Sequence, residues 1–207
     1  MTDTLSTDRV IFLPGASGDG SFWAPVANQL QYPLDKVLLD WPGFGRAPRH
    51  PDVHSLHDLV TLVLGHVDRP VDLVAQSMGG VIAVQVALRR PHMIRHLVLA
   101  ATSGGIDVSR FGAHDWREEY TEAYPATPQW FVDDRTDLAA LIPSIHAPTL
   151  LIWGDADPIS PPAVGKYLAR LLPRARLVVI KEGGHMVGRD RADEVAPLIA
   201  THLVAGP

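Results

Sequence analysis

Six short runs of apolar residues recur along the chain, at Val10–Leu13, Val37–Leu39, Val71–Ala75, Leu97–Ala101, Thr149–Trp153 and Arg176–Ile180. Within them Val, Leu and Ile follow one another almost without interruption. A strand with one wet face alternates instead, so these runs predict strands covered on both faces in a parallel sheet. Between the runs, apolar positions return every three or four residues. The stretch His54–Val67 places Leu56, Leu59, Val60, Val63 and Val67 on one stripe, and Met78–Arg90, Ala163–Leu172 and Ala192–Leu203 repeat the pattern. Asp193 and Glu194 open the last of these, where the helix dipole favours acid. Strand and helix in alternation predict an α/β domain with helices on both faces of the sheet. No repeat or long linker divides the chain, so residues 1–207 are expected to form a single domain.

The rhythm breaks once, over residues 103–148, where Gly104, Gly105, Pro125, Pro128 and Pro143 punctuate an irregular pattern. This segment holds Phe111, Trp116, Tyr120, Tyr124, Trp130 and Phe131, six of the fourteen aromatic residues. It also carries eight acidic residues against three arginines, so the whole net charge of −5 resides here. An aromatic, acidic insertion between two strands of a parallel sheet is expected to be a short lid over the sheet's carboxyl edge, where such sheets bind ligands. The plainer alternative is an insertion that only packs on the sheet.

Composition narrows the classes. A chain of 207 residues with 46% hydrophobic content can bury roughly 70% of its unfolded surface without disulfides or a structural metal. The absence of cysteine removes disulfide frameworks, thiol nucleophiles, zinc ribbons and iron–sulfur ligation. An acidic balance argues against a nucleic-acid surface. Met1–Arg9 contains no apolar run of the signal-peptide kind, and no apolar stretch approaches the length of a membrane span. A soluble, cytoplasmic monomer or small homo-oligomer is expected, with no membrane partner.

The chemistry begins at Asp72-Leu73-Val74-Ala75-Gln76-Ser77-Met78-Gly79-Gly80, which runs from a strand straight into a helix. A serine on such a corner has its hydroxyl pushed out above the sheet, and small neighbours let the backbone turn against adjacent strands. Ala75 and Gly79 fill those positions, a variant of the G-x-S-x-G elbow with alanine first. The helix N-terminus aims amides at a developing oxyanion, and the Met78 N–H is the nearest. The alternative is a serine that merely caps its helix. A serine nucleophile needs a general base. Of ten histidines, His185 alone follows two glycines in a turn after the last strand, where the chain is free to swing a side chain over the sheet edge. His54 and His57 share one helix, yet no further ligand follows at useful spacing, so a solvated face is expected and no metal site.

Four further segments carry a family resemblance. They are Phe12-Leu13-Pro14-Gly15-Ala16 followed by Trp23, then Asp40-Trp41-Pro42-Gly43-Phe44-Gly45-Arg46, then Trp153-Gly154-Asp155-Ala156-Asp157-Pro158-Ile159-Ser160-Pro161, and Gly183-Gly184-His185. With the elbow, they make the chain resemble the α/β-hydrolase superfamily, specifically its small esterase-like members, from Val10 onward. The resemblance implies the α/β-hydrolase fold with a short cap, no cofactor, and hydrolysis of a small carboxylic ester, lactone or thioester. It implies the order Ser…Asp…His, met by Ser77, Asp157 and His185, with Asp155 a neighbour suited to capping the turn. It also implies a second oxyanion donor at the backbone N–H of Ala16. Pro14-Gly15 stands where the family usually has His-Gly, and residues 1–9 leave no room for the family's first two strands. Trp23 and Trp41 are expected under these loops. Trp41 is also a candidate for the substrate pocket, with Phe111, Trp116, Tyr120 and Trp130 of the lid. The lid's charge is expected to disfavour polyanionic acyl groups such as coenzyme A thioesters.

Three other readings compete. Carbon–carbon bond hydrolysis uses the same residues, and a non-hydrolytic ligand-binding protein can use the same scaffold. A dinucleotide-dependent oxidoreductase would use Gly15-x-x-Gly18-x-Gly20 after the first strand and Asp40 at the end of the second. That glycine spacing is not G-x-G-x-x-G. The Tyr-x-x-x-Lys spacing at Tyr32–Lys36 is interrupted by Pro33 and lies before the second strand. A P-loop is excluded, because no Lys-Ser or Lys-Thr follows the glycines.

Overall fold

A computed structural model describes residues 8–31 and 34–205. Six parallel strands form one sheet: β1 (Asp8–Leu13), β2 (Leu34–Leu38), β3 (Val71–Gln76), β4 (Ile94–Ala100), β5 (Thr149–Gly154) and β6 (Ala175–Ile180), in the order β2-β1-β3-β4-β5-β6. The near-continuous apolar runs have a direct explanation in the period-two geometry of a strand. Ile11, Leu13, Leu73, Ala75, Leu97, Leu99, Leu151 and Trp153 enter one core, and Val10, Phe12, Val74, Val98, Ala100, Leu150 and Ile152 enter the other. Both faces are dry, so both sets must be apolar. The first core is closed by α2 (Leu56–Gly65), α3 (Met78–Arg89) and α6 (Pro162–Leu171), the second by α1 (Ala24–Gln29), α7 (Val187–Asp190) and α8 (Ala192–Val204).

The expectation of burial on both faces fails at the margins. Residues 35–38 of β2 are half-exposed, only Ile180 of β6 is buried, and Val179 on β6 is 41% exposed, because an edge strand has a neighbour on one side only. The spacing also gives no separate signal for α1 or α7, whose six and four residues are too short to establish a helical period. Tyr32 and Pro33 of the Tyr-x-x-x-Lys spacing, and all but the last two residues of Met1–Arg9, lie outside the described residues.

Two features of the topology place the site. The chain leaves β1 toward β2 on one side, then returns past β1 to build β3 through β6 on the other. Ligands of open parallel sheets bind at that reversal, outside the carboxyl ends of the strands. Register brings those ends level, with Leu13 beside Ala75 and Gln76 beside Ala100. Residues 103–148, between β4 and β5, carry two short helices, α4 (Arg117–Ala123) and α5 (Gln129–Asp133). Their rings pack edge to face and in stacks: Trp116 lies on Phe131 at 5.2 Å, and Phe131 meets Phe44 of the β2–α2 connection at 5.5 Å.

Candidate active site

Ser77 stands between β3 and α3 with φ 51° and ψ −120°, a left-handed conformation that costs a non-glycine residue on the order of 1–3 kcal/mol. Its side chain makes no capping hydrogen bond to α3, which removes the capping alternative. The backbone is held instead: the Ser77 N–H donates to Ala100 O at 3.1 Å, and its carbonyl accepts from Gly80 N at 2.9 Å and Thr102 Oγ1 at 2.6 Å. Small neighbours are obligatory here. A Cβ on Gly79 would stand 2.5 Å from Pro14 O and 2.6 Å from Leu13 O, and one on Gly15 would stand 2.3 Å from Gln76 Oε1. The turn and the loop after β1 therefore touch backbone to backbone.

His185 Nε2 lies 3.1 Å from Ser77 Oγ, and His185 Nδ1 lies 2.9 Å from Asp157 Oδ2. Asp157, 3% exposed, also accepts through Oδ1 from the amides of Ile159 at 2.9 Å and Ser160 at 3.0 Å. A buried carboxylate with three donors is compensated for its lost water. The loop that carries it is anchored in turn: Ser160 Oγ accepts from Trp153 Nε1 and donates to Thr102 O, each at 3.2 Å. Thr102 closes the circuit, because its own hydroxyl holds the Ser77 carbonyl.

Asp155 does something different from Asp157. Its Oδ1 accepts from Glu182 N at 2.6 Å and ties the β5 loop to the turn that leads to His185. Glu182 sits at φ 57°, so the strain of that turn falls on the residue Asp155 grips. Ala156 N donates to Gly183 O at 2.9 Å, and Gln76 Nε2 reaches His185 O at 3.3 Å. Thr102, Ser160 and Gln76 gave no motif of their own; they were legible only as polar residues ending or following apolar strands.

Around Ser77 and His185 opens a cavity of about 790 Å³, whose wall includes Ala16, Met78, Trp116 and Tyr120. Three of the expected pocket residues are elsewhere. Trp41 is wholly buried and spends its indole N–H on Pro14 O at 2.9 Å, so it supports the loop from beneath. Phe111, half-buried against the first core, packs on Tyr167 at 5.3 Å, with Arg110 over both rings. Trp130 packs edge-on against Phe44 at 5.7 Å. The three are drawn off because each has an aromatic or carbonyl partner behind the wall. Asp40, the residue suited to a ribose in the dinucleotide reading, accepts from Gly20 N at 2.7 Å and so ties the glycine loop to the chain that leaves β2. His57 takes an Arg89 N–H at 2.8 Å.

Comparison with known proteins fits this arrangement. The Alpha/beta hydrolase family matches residues 10–140, and a second profile, the alpha/beta hydrolase fold, matches residues 110–191. A pimeloyl-[acyl-carrier protein] methyl ester esterase of Neisseria meningitidis is 27% identical over 221 residues, covering 84% of each chain. A 2-hydroxymuconate semialdehyde hydrolase of Pseudomonas sp. is 26% identical over 227 residues, covering 87% of this chain and 80% of its own. Among solved structures, a thermophilic esterase from Thermogutta terrifontis superposes with a TM-score of 0.78 at 22% identity, over 95% of this chain and 89% of that one.

Proposed function

The chain belongs to the alpha/beta hydrolase family, and from that premise we propose that it is a serine hydrolase of small carboxylic esters, with residues 103–148 as its cap. The observation that carries the reading is the imidazole of His185, bonded on one side to Ser77 Oγ at 3.1 Å and on the other to the buried carboxylate of Asp157 at 2.9 Å. In this mechanism His185 Nε2 accepts the Ser77 proton as Oγ attacks the ester carbonyl. Asp157 fixes the tautomer and stabilises the imidazolium that forms. The amides of Ala16 and Met78 receive the oxyanion; Met78 opens α3, and first-turn amides have no partner within their helix. His185 then returns the proton to the leaving alkoxide, and water cleaves the acyl-enzyme by the same steps. Ester chemistry also accords with the name of the Neisseria relative.

A second reading, hydrolysis of a carbon–carbon bond, has the Pseudomonas relative's name in its favour and uses the same three side chains. A fluorophosphonate probe tests what both share: it should label the protein stoichiometrically at Ser77, and Ser77→Ala should abolish both labelling and p-nitrophenyl acetate turnover. An unlabelled protein, or an undiminished Ser77→Ala variant, would leave a ligand-binding scaffold in place of an enzyme. Comparing turnover of an unactivated methyl ester with that of a vinylogous diketone separates the ester reading from the carbon–carbon one.

A further inference from the structure

Four successive carbonyls run past the candidate oxyanion donor, and each has a donor of its own. Leu13 O accepts from Trp23 Nε1 at 3.0 Å, Pro14 O from Trp41 Nε1 at 2.9 Å, and Gly15 O from Gly18 N at 3.1 Å. The fourth, Ala16 O, accepts from the phenol of Tyr120 at 2.7 Å. The first three donors come from the body of the domain. Tyr120 lies on α4, more than a hundred residues along the chain, in the segment that crosses the cavity.

A peptide is planar, with C=O and N–H pointing in opposite directions when trans. The Gly18 bond therefore sets the direction of the Ala16 N–H, which shares a plane with Gly15 O. The Tyr120 bond sets the next plane, so Ala16 is clamped on both sides and its backbone has no free rotation left. Thr127 Oγ1 donates to the Tyr120 oxygen at 3.3 Å, which leaves the phenolic hydrogen to Ala16. The ring is held independently, edge-on to Trp116 at 5.4 Å and to Phe131 at 5.7 Å. Burial raises the phenol above its ordinary range of acidity, so it keeps its proton and remains a donor.

We propose that Tyr120 is a positioning residue: through Ala16 O it completes the oxyanion loop, so the loop is fully ordered only when the cap lies in place. The proposal rests on the serine hydrolase reading above. It differs from the expectation that Tyr120 merely lines the pocket, because the ring lines the wall while the hydroxyl acts on the loop.

The test is Tyr120→Phe, which keeps the ring and deletes the hydroxyl, assayed on p-nitrophenyl acetate with active sites counted by fluorophosphonate end-point titration. kcat per titrated serine should fall about tenfold, below the ~10²–10³ typical of losing an oxyanion donor outright. KM should stay within about twofold, and a trifluoromethyl ketone inhibitor should weaken by about the same tenfold. Unchanged kcat, or a rise confined to KM, overturns the proposal and returns Tyr120 to the pocket wall. If the phenylalanine variant does not fold, Thr127→Val takes its place, with an expected two- to threefold loss in kcat; unchanged kcat there also overturns it. Failure of the underlying reading looks different: the wild-type protein itself would not be labelled.

Discussion

The carboxylate behind His185 and the carboxylates that line the cavity are held in opposite ways. Asp157 is buried, and its bonds to Ile159 N, Ser160 N and His185 Nδ1 lock a loop to a side chain 28 residues away. On the cap side, Asp107, Asp115 and Asp137 are exposed, and each bonds within two residues of itself, to Ser109 N, Arg117 and Ala139 N respectively. The first arrangement spends its hydrogen bonds on joining distant parts of the chain. The second spends them on local turns and leaves charge facing water. The charge beside the His185 imidazole is desolvated and fully bonded, whereas the charge on the cavity lining stays wet.

The largest effect expected from that difference is at Asp157→Asn. The amide keeps an oxygen for Ile159 N and Ser160 N but loses the partner of the imidazolium and favours the wrong His185 tautomer, so kcat should fall about 10³–10⁴-fold. Asp115→Asn, in the cavity lining, should change kcat by less than about twofold. Steady-state kinetics of both variants on one ester decide the matter; comparable losses would erase the distinction between the buried and the exposed carboxylates.

How much of this was written in the sequence follows the same division. The four inner strands were legible because a sheet covered on both faces demands apolar side chains at consecutive positions, a purely local signal; the two edge strands kept short apolar runs although they are only partly covered. The serine corner was legible for a similar reason, since close backbone packing demands a small residue at Gly79; before His185, Gly183 packs against Gly154, whereas Gly184 has open space beside it. The structure places His185 within hydrogen-bond distance of both Ser77 and Asp157. The cap was legible in outline only. Its rings were countable, but which faced the cavity depended on partners elsewhere: Phe44 took Trp130 and Tyr167 took Phe111. The bonds of Thr102 to Ser77 and of Tyr120 to Ala16 span 25 and 104 positions, and no periodicity records them.

Phe44 marks where the two regions meet. It belongs to the connection after β2, is 1% exposed, and touches both Trp130 and Phe131 of α5. Phe44→Ala should cost about 3 kcal/mol of stability, typical of truncating a buried aromatic, and lower the thermal midpoint accordingly. Because Phe131 stacks on Trp116 in the cavity wall, KM for an ester should rise several-fold while kcat, set by the sheet-edge loops, changes less. A kcat loss as large as that of Asp157→Asn would mean that body and cap are not separable in this way.

The smallest expected effect comes from the wet carboxylates. Asp107, Asp115, Asp134 and Asp137 line the cavity against Arg117 and Arg135, an excess of negative charge. The Ser109 amide holds Asp107 below its ordinary acidity range, and the Arg117 guanidinium does the same for Asp115. A lowered pKa keeps the ionised form as pH falls, so the bias persists across the working range. Exposed charge is screened within about 8–10 Å at moderate salt, so the effect must be modest and salt-dependent. A p-nitrophenyl ester ending in a carboxylate should show kcat/KM about threefold below its neutral counterpart at low salt, with the gap narrowing as salt rises. Asp107→Asn with Asp115→Asn should narrow it in the same direction without added salt. A gap indifferent to salt and to both substitutions would assign the preference to the shape of the aromatic wall, and the acidic rim would then have no part in selecting substrate.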